Sequence, residues 1–391
     1  QDQGACDGQR YRFEVFSSTD STLDVQFGEN TTAAGTQQSL LMDIYEPSGD
    51  TASARTVVVL AFGGAFISGD RKQLKELCEV LARRGFVAAS IDYRLYDKPL
   101  FPIPTQEDIL DAVIKAIGDM KAAVRFFREE AANDNSYRID SNSIFVGGIS
   151  AGAITAGHVA MLDSTDSPDS LIQAIIANNG GWEGNSSTNV NYSSAVSGLI
   201  SYSGALVDAS WIDANDPPFV AFHDDMDPIV PYGDGQFRLG LIPILDGEGS
   251  LSMTKRADSV GIFSQLFTVE NSDGHVSYLT TTDELADSTS DFTADFLYEV
   301  LCSELLANVE SPSNPQSDLT AYPNPTDGLL YIKNTGIPIV QMKLFNTMGQ
   351  RVNQWPAQTA IDLTGLEPGM YILEVVYARG AQPTLTKVVK Q

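Results

Sequence analysis

The stretch Ser141–Met161, SNSIFVGGISAGAITAGHVAM, decides the fold. Ile144, Phe145 and Val146 read as a buried strand, and the alanine-rich AGAITAGHVAM that follows reads as a helix. Between them stands Gly148-Ile149-Ser150-Ala151-Gly152, a G-x-S-x-G pentapeptide in a strand-to-helix setting. Glycines at both ends remove β-carbons that would clash as the backbone turns, so Ser150 is expected to stand above the sheet beside a helix N-terminus. It is the candidate nucleophile, against the plainer reading of a glycine-rich turn carrying an incidental serine.

Outward from that turn, apolar β-branched runs alternate with helical patterns. LLMDIYEP, ARTVVVLAF, FVAASIDYRL, SIFVGG, GLISYSGAL, PFVAFHDD and SQLFTVEN read as strands. KQLKELCEVLARRG reads as a helix closed by Gly85, QEDILDAVIKAIGDMKAAVRFFREEAA as a long helix, and DFTADFLYEVLCSELL as the last one. This order predicts an α/β fold with a mainly parallel sheet flanked by helices on both faces, in an α/β-hydrolase arrangement.

A serine hydroxyl needs a base within hydrogen-bonding reach, and the chain has three histidines. His158, two turns into the helix after Ser150, cannot curl back and is expected to pack or cap; His223, ending PFVAFH, is expected to be structural. His275, in NSDGHVSY, lies on a loop after the last predicted strand, where a base can be presented to a rigid scaffold. For the acid, HDDMDPIVPY offers Asp224, Asp225 and Asp227. Asp227 is the candidate, because its place before Pro228-Ile229-Val230-Pro231 resembles the HGxxDxxVP turn of many α/β-hydrolase esterases. Asp224 and Asp225 are left as solvated charges or as helpers in folding the turn.

The loop after the buried strand ARTVVVLAF runs Phe62-Gly63-Gly64-Ala65-Phe66 and resembles the HGG(G/A)F loop of carboxylesterases and hormone-sensitive-lipase-like enzymes. By position, the amides of Gly64, Ala65 and Ala151 would form an oxyanion hole. Phe62 stands where that family has histidine, a departure that leaves the backbone donors in place. Together these motifs span about Leu40 to Tyr278 and resemble the carboxylesterase branch of the α/β-hydrolases. The resemblance implies a Ser150–His275–Asp227 triad acting through an acyl-enzyme, with no metal and no organic cofactor required. Its expected partner is an ester substrate, small or polymeric: a short-chain acyl, acetyl or hydroxycinnamoyl ester, or a polyester. A serine peptidase and an inactive surface-binding module are the alternatives.

Substrate recognition is thinly written. Phe66 and Trp182 are candidate contacts for an aromatic acyl group, though core packing explains them as well. NNGGWEGNSSTNVNY and the segment from Tyr232 to Ser259 are the stretches that could wall a pocket. The acidic DSTDSPDS and DANDPP could hold calcium, with solvated loops the simpler account; no metal ligand is assigned.

From Asn308 the chain reads NVESPSNPQSDLTAYPNP, which is linker composition. The expected division is a catalytic domain over 1–307, a linker over 308–318 and a small β-sandwich over 319–391, the last from short alternating runs such as LLYIKN and MYILEVVY with turn signals at Asp327-Gly328, Met348-Gly349 and Pro368-Gly369. YPNPTDG, LFNTMGQRV, LTGLEPGMYILEV and the ending KVVKQ resemble the C-terminal sorting domain of the type IX secretion system. That resemblance implies the secretion machinery as a partner, and export from a Gram-negative bacterium to its surface or the medium. A carbohydrate-binding or immunoglobulin-like module is the alternative. The opening Gln1 in place of Met also suggests a removed targeting segment.

With 391 residues, 43% hydrophobic, the composition is that of a globular protein, and no apolar run approaches the ~20 residues that span a bilayer. The net charge of −27 argues against a nucleic-acid partner. The last 75 or so residues carry about +1, so the acidity belongs to the body. Three cysteines, Cys6, Cys78 and Cys302, lie too far apart for a zinc knuckle. A Cys78–Cys302 bridge leaving Cys6 free is expected, with two buried thiols as the alternative.

Overall fold

The computed structural model describes residues 6–239, 242–280, 282–308, 319–333, 339–346, 351–356, 358–377 and 384–391. In chain order the body carries β1 (Thr19–Thr31), β2 (Gln37–Pro47), β3 (Arg55–Ala61), α1 (Lys75–Arg83), β4 (Val87–Ile91), α2 (Gln106–Ala132), β5 (Ile139–Ile149), α3 (Ala151–Met161) and α4 (Ser170–Asn178). It continues through β6 (Gly198–Tyr202), β7 (Ala205–Leu206), β8 (Phe219–Asp224), β9 (Asp234–Leu239), β10 (Ile242–Gly249), α5 (Ser250–Val260), β11 (Ser264–Val269) and α6 (Asp283–Asn308).

Eight strands form one sheet in the order β1-β2-β4-β3-β5-β6-β8-β11. β1 and β2 are antiparallel to each other and β2 to β4, while every pair from β4 to β11 is parallel. The central strands RTVVVLA, VAASI, GLISY and FVAFHD are buried at every residue, as strands covered on both faces must be. Because β3, β4, β5, β6, β8 and β11 run the same way, the loops after them emerge at one edge, where a site on this architecture is built.

α2 begins and ends where the sequence predicts. Its start is fixed by a capping box, with Asp108 N–H donating to Thr105 Oγ1 at 3.2 Å and Thr105 N–H to Asp108 Oδ2 at 3.0 Å. GLISYSGAL divides instead into β6 and β7. Ser203 between them takes φ 51° and donates its N–H to Phe222 O, and the chain leaves the main sheet so that β7 pairs with β10. The β9–β10 hairpin went unread within Tyr232–Ser259, where apolar alternation is weak. α6 starts at Asp283, a turn or more before the apolar pattern begins, because DELADSTS is polar and shows no helical stripe.

The cysteine expectation is corrected. Cys302 is bonded to Cys6, and Cys78 is the free thiol, buried on α1. Cys6 and Cys302 stand 5.7 Å apart at Cα, the span a disulfide needs, whereas the Cys78 side chain is fully enclosed in the core. Burial pushes the Cys78 thiol well up, which makes it inert.

Beyond the body, β12 (Thr320–Tyr322), β13 (Leu329–Lys333) and β16 (Ala360–Asp362) make one antiparallel sheet. β14 (Ile339–Asn346), β15 (Arg351–Pro356), β17 (Gly369–Tyr377) and β18 (Thr384–Lys390) make a second. Leu330, Ile332 and Ile361 of the first sheet and Met342, Leu344, Leu373, Val375 and Val388 of the second share one core, as a β-sandwich requires. Apart from Asn308, which ends α6, the expected linker lies outside the described residues, as does the Met348-Gly349 turn.

Candidate active site

Ser150 sits between the end of β5 and the start of α3 with φ 54° and ψ −117°, a conformation costly for a residue with a side chain. The neighbours hold it there. Ser150 N–H donates to Tyr202 O at 2.8 Å, and its carbonyl accepts from Ile154 N at 2.9 Å. A β-carbon on Gly148 would come within 2.4 Å of the Gly152 backbone, and one on Gly152 within 2.1 Å of Ala61 O. The glycines therefore let β3, β5 and α3 approach closely, and the serine is pushed up at the sheet's carboxyl edge.

Asp227 and His275 meet it from the loops after β8 and β11. Ser150 Oγ–H donates to His275 Nε2 at 2.8 Å, and His275 Nδ1–H donates to Asp227 Oδ2 at 2.7 Å. The second carboxylate oxygen, Oδ1, accepts from the amides of Ile229 at 2.8 Å and Val230 at 3.1 Å, so Pro228-Ile229-Val230 folds round the carboxylate. Burial works to raise this acid, but hydrogen bonds from His223 and His275, the charge of His275 and the Ile229 amide outweigh it and hold the carboxyl well below its ordinary range.

The other histidines are structural. His223 is buried, with Nδ1 on Ser250 Oγ at 2.8 Å and Nε2 facing both Val230 O at 3.1 Å and Asp227 Oδ2 at 3.5 Å. His158 donates from Nδ1 to Ile154 O at 2.7 Å and accepts from Val207 N at 3.2 Å; burial lowers it to about 4, so it is neutral.

The Phe62–Ser68 loop rests against the elbow. A β-carbon on Gly63 would be 3.2 Å from Ser150 Cβ, and Gly64, at φ 133°, would set one 1.9 Å from Ser68 O. Ala65 and Phe66 follow at φ 53° and 62°, both left-handed. Among the described residues, the N–H groups of Gly64, Ala65 and Ala151 have no acceptor in the protein. Such orphan donors beside a serine are what a developing oxyanion needs.

Of the two expected substrate contacts, Phe66 belongs to this loop, whereas Trp182 lines a separate cavity. Phe66 is 5% exposed, its ring edge-on to Tyr93, and Phe62 stacks on the same Tyr93 at 4.4 Å. Trp182 lines a cavity with Ile114, Ile117, Leu162 and Ile176 that includes none of Ser150, Asp227 and His275. The segment around it is tied to α2, with Lys121 Nζ donating to Trp182 O at 2.8 Å and Arg125 Nη1 to Glu183 O at 2.9 Å. The hairpin β9–β10, by contrast, follows directly from the Asp227 turn.

No group of three or more metal-binding side chains occurs among the described residues. The two acidic loops do face each other: burial, then repulsion from Asp213, Asp166 and Asp163, raises Asp216 to about 7. Ser272, Gly274 and Ser277, which flank His275, belong to no motif in the sequence. A small-residue, hydroxyl-rich loop around a solitary histidine was the signal available.

This arrangement is that of an α/β-hydrolase domain of the esterase type. Residues 42–205 match the BD-FAE family model, and residues 320–391 match the secretion system C-terminal sorting domain, so the chain carries both domains. The sorting domain marks it for export by type IX secretion to the cell surface or beyond. Comparison with curated protein sequences finds no match.

Among solved structures the body resembles esterase 2 of Thermogutta terrifontis phosphorylated by paraoxon, with 21% identity and a TM-score of 0.52 over 72% of this chain and 94% of that one. The propionate-bound form of that esterase is similar at 20% identity and TM-score 0.51, over 73% and 94%. A truncated carbohydrate esterase from gut microbiota is similar at 18% identity and TM-score 0.50, over 73% and 97%. Among the described residues, no helix is long and apolar enough to cross a membrane.

Proposed function

We propose that this protein is an exported serine esterase in which Ser150, His275 and Asp227 act as a triad. The observation that carries the reading is the unbroken line Ser150 Oγ to His275 Nε2 at 2.8 Å and His275 Nδ1 to Asp227 Oδ2 at 2.7 Å. Ser150 Oγ attacks the ester carbonyl carbon while His275 Nε2 takes its proton. The carbonyl oxygen gains the negative charge, stabilised by the amides of Gly64, Ala65 and Ala151. The intermediate then collapses: the C–O bond to the alcohol breaks, and His275 returns its proton to the leaving alkoxide. Water repeats the sequence on the acyl-enzyme, giving the carboxylic acid and free Ser150. Asp227, kept ionised by its partners, orients the imidazole and stabilises its charged form.

The catalytic domain is proposed to span 1–307 and the sorting domain 319–391, joined by a linker over 308–318. The substrate is a short-chain acyl ester, an acetyl or hydroxycinnamoyl ester of a polysaccharide, or a polyester. A carbohydrate esterase among the similar folds favours the polysaccharide.

Hydrolysis of p-nitrophenyl acetate, p-nitrophenyl butyrate and a hydroxycinnamate ester by wild type, Ser150→Ala and His275→Ala tests this. A wild-type rate that both substitutions abolish is expected. A rate that survives in folded Ser150→Ala contradicts it, and no rate with any ester moves the weight to a peptidase or a binding module.

A further inference from the structure

Asp224 occupies the place where the resembling HGxxDxxVP turn has glycine. Its side chain is fully buried, and it is not on the surface. The backbone of Asp224 is fixed by the sheet, at the end of β8 and in register with Val269 of β11. From there the carboxyl reaches across to the loop carrying His275. Ser272 Oγ donates to Oδ1 at 2.5 Å, Ser277 N donates to Oδ2 at 3.0 Å, and the Ser277 hydroxyl also donates to Oδ1. The loop is thus gripped three residues before His275 and two residues after it. A β-carbon on Gly274 would lie 3.2 Å from Asp224 Oδ1 and 2.8 Å from Ser277 Cβ, so the chain wraps the carboxyl with no room for a side chain.

A strained residue lies inside that grip. Val276 takes φ 57° and ψ 32°, the left-handed region that a β-branched side chain disfavours. Such a conformation persists only where the surroundings over-determine it. The next N–H along the chain, that of Ser277, is bonded to Asp224. Asp225 secures the loop's start, accepting from Asn271 N and Ser272 N at 3.0 Å each, and Tyr278 OH secures its end on Phe222 O at 3.1 Å.

We propose that Asp224 is a positioning residue: by holding Ser272 and Ser277 it keeps Val276 left-handed, and so keeps His275 Nε2 on Ser150. Asp225 and Tyr278 fix the two ends of the loop, whereas Asp224 holds it on both sides of the histidine. The role rests on the esterase reading, because its consequence is the rate at which His275 serves Ser150.

The test compares wild type, Asp224→Ala and Asp224→Ala/Val276→Gly with p-nitrophenyl acetate well below each unfolding midpoint. Asp224→Ala is expected to lower kcat on the order of 10²-fold, as a small misplacement of a catalytic group does, with KM within about twofold. Glycine at 276 removes the cost of the left-handed backbone, so the double variant is expected to recover at least a few-fold in kcat over Asp224→Ala. Residues that merely stabilised the body would not show that rescue. Unchanged kcat in folded Asp224→Ala, or a double variant no faster than the single, overturns the proposal. Should Asp224→Ala not fold, Ser277→Ala and Ser272→Ala together remove two of the three bonds of the grip, leaving the Ser277 N–H, and must lower kcat without raising KM. If the wild type itself shows no Ser150-dependent hydrolysis, the esterase reading has failed, and the grip is then read by amide exchange. The Ser277 N–H must exchange faster in Asp224→Ala, and equal exchange overturns the grip too.

Discussion

The two halves of the site are held in place by different physics. On the serine side, position comes chiefly from close backbone packing: Gly148 and Gly152 bring the elbow against Ala61. On the histidine side, position comes from carboxyls: Asp227 orients the ring, Asp225 takes two loop amides, and Asp224 takes a hydroxyl or amide on either side. One half should therefore tolerate changes of polarity but not of size, and the other the reverse. The difference also suits the work: the serine must be rigid, whereas the imidazole must move a proton and carry a charge.

The largest effect is expected from Ser150→Ala, which should lower kcat on the order of 10⁶-fold while leaving the unfolding midpoint unchanged or slightly raised. Steady-state kinetics with thermal unfolding on the same samples checks both. Asp227→Asn changes polarity at constant size and should cost about 10⁴-fold in kcat, by favouring the wrong imidazole tautomer, with the elbow untouched. Gly152→Ala does the opposite: one added carbon, 2.1 Å from Ala61 O, should cost about 3 kcal/mol or more in urea unfolding and lower activity with it. If Gly152→Ala proved harmless, or if Asp227→Asn unfolded the body, the contrast would break.

Reduction of Cys6–Cys302 touches neither half. It should lower stability by about 2–4 kcal/mol, read as a shift of the urea midpoint with and without dithiothreitol, at unchanged kcat well below the transition.

The smallest effect separates two aspartates with opposite shifts. Asp227 lies below its ordinary range, so the stability it brings is present above about pH 4 and is lost as the pH falls further. Asp216 is raised to about 7, so its contribution is present below about pH 4 and is lost as the pH rises towards 7. Asp216→Asn should accordingly raise the unfolding midpoint at pH 8 and change it little at pH 4. An equal shift at both values would remove the acidic-loop account.

This contrast also governs what the sequence could disclose. The elbow was legible because a packed turn writes itself locally, as glycines two residues either side of a serine between a strand and a helix. Ser150, Asp227 and His275 could be named one by one, and the structure brings these three together. Asp224 stayed open between a solvated charge and a helper in folding the turn because its partners, Ser272 and Ser277, lie about fifty residues away and carry no spacing rule. Cys78 was paired with the wrong partner for a related reason: no spacing rule shows that Cys6, 296 residues away, stands 5.7 Å from Cys302 at Cα. Trp182 stayed open between substrate contact and packing because a polar, glycine-rich stretch says nothing of which side chains reach it, here Lys121 and Arg125. The α2 boundaries were readable because the capping box lies within three residues of sequence.

The most direct measurement is intact and peptide mass analysis after treatment with paraoxon, alongside residual hydrolysis of p-nitrophenyl acetate. One phosphoryl adduct on the peptide holding Ser150, none in Ser150→Ala, and hydrolysis lost in proportion to labelling is the result predicted here. Labelling at another residue, or hydrolysis that persists in fully labelled protein, would contradict the assignment of Ser150 as the nucleophile.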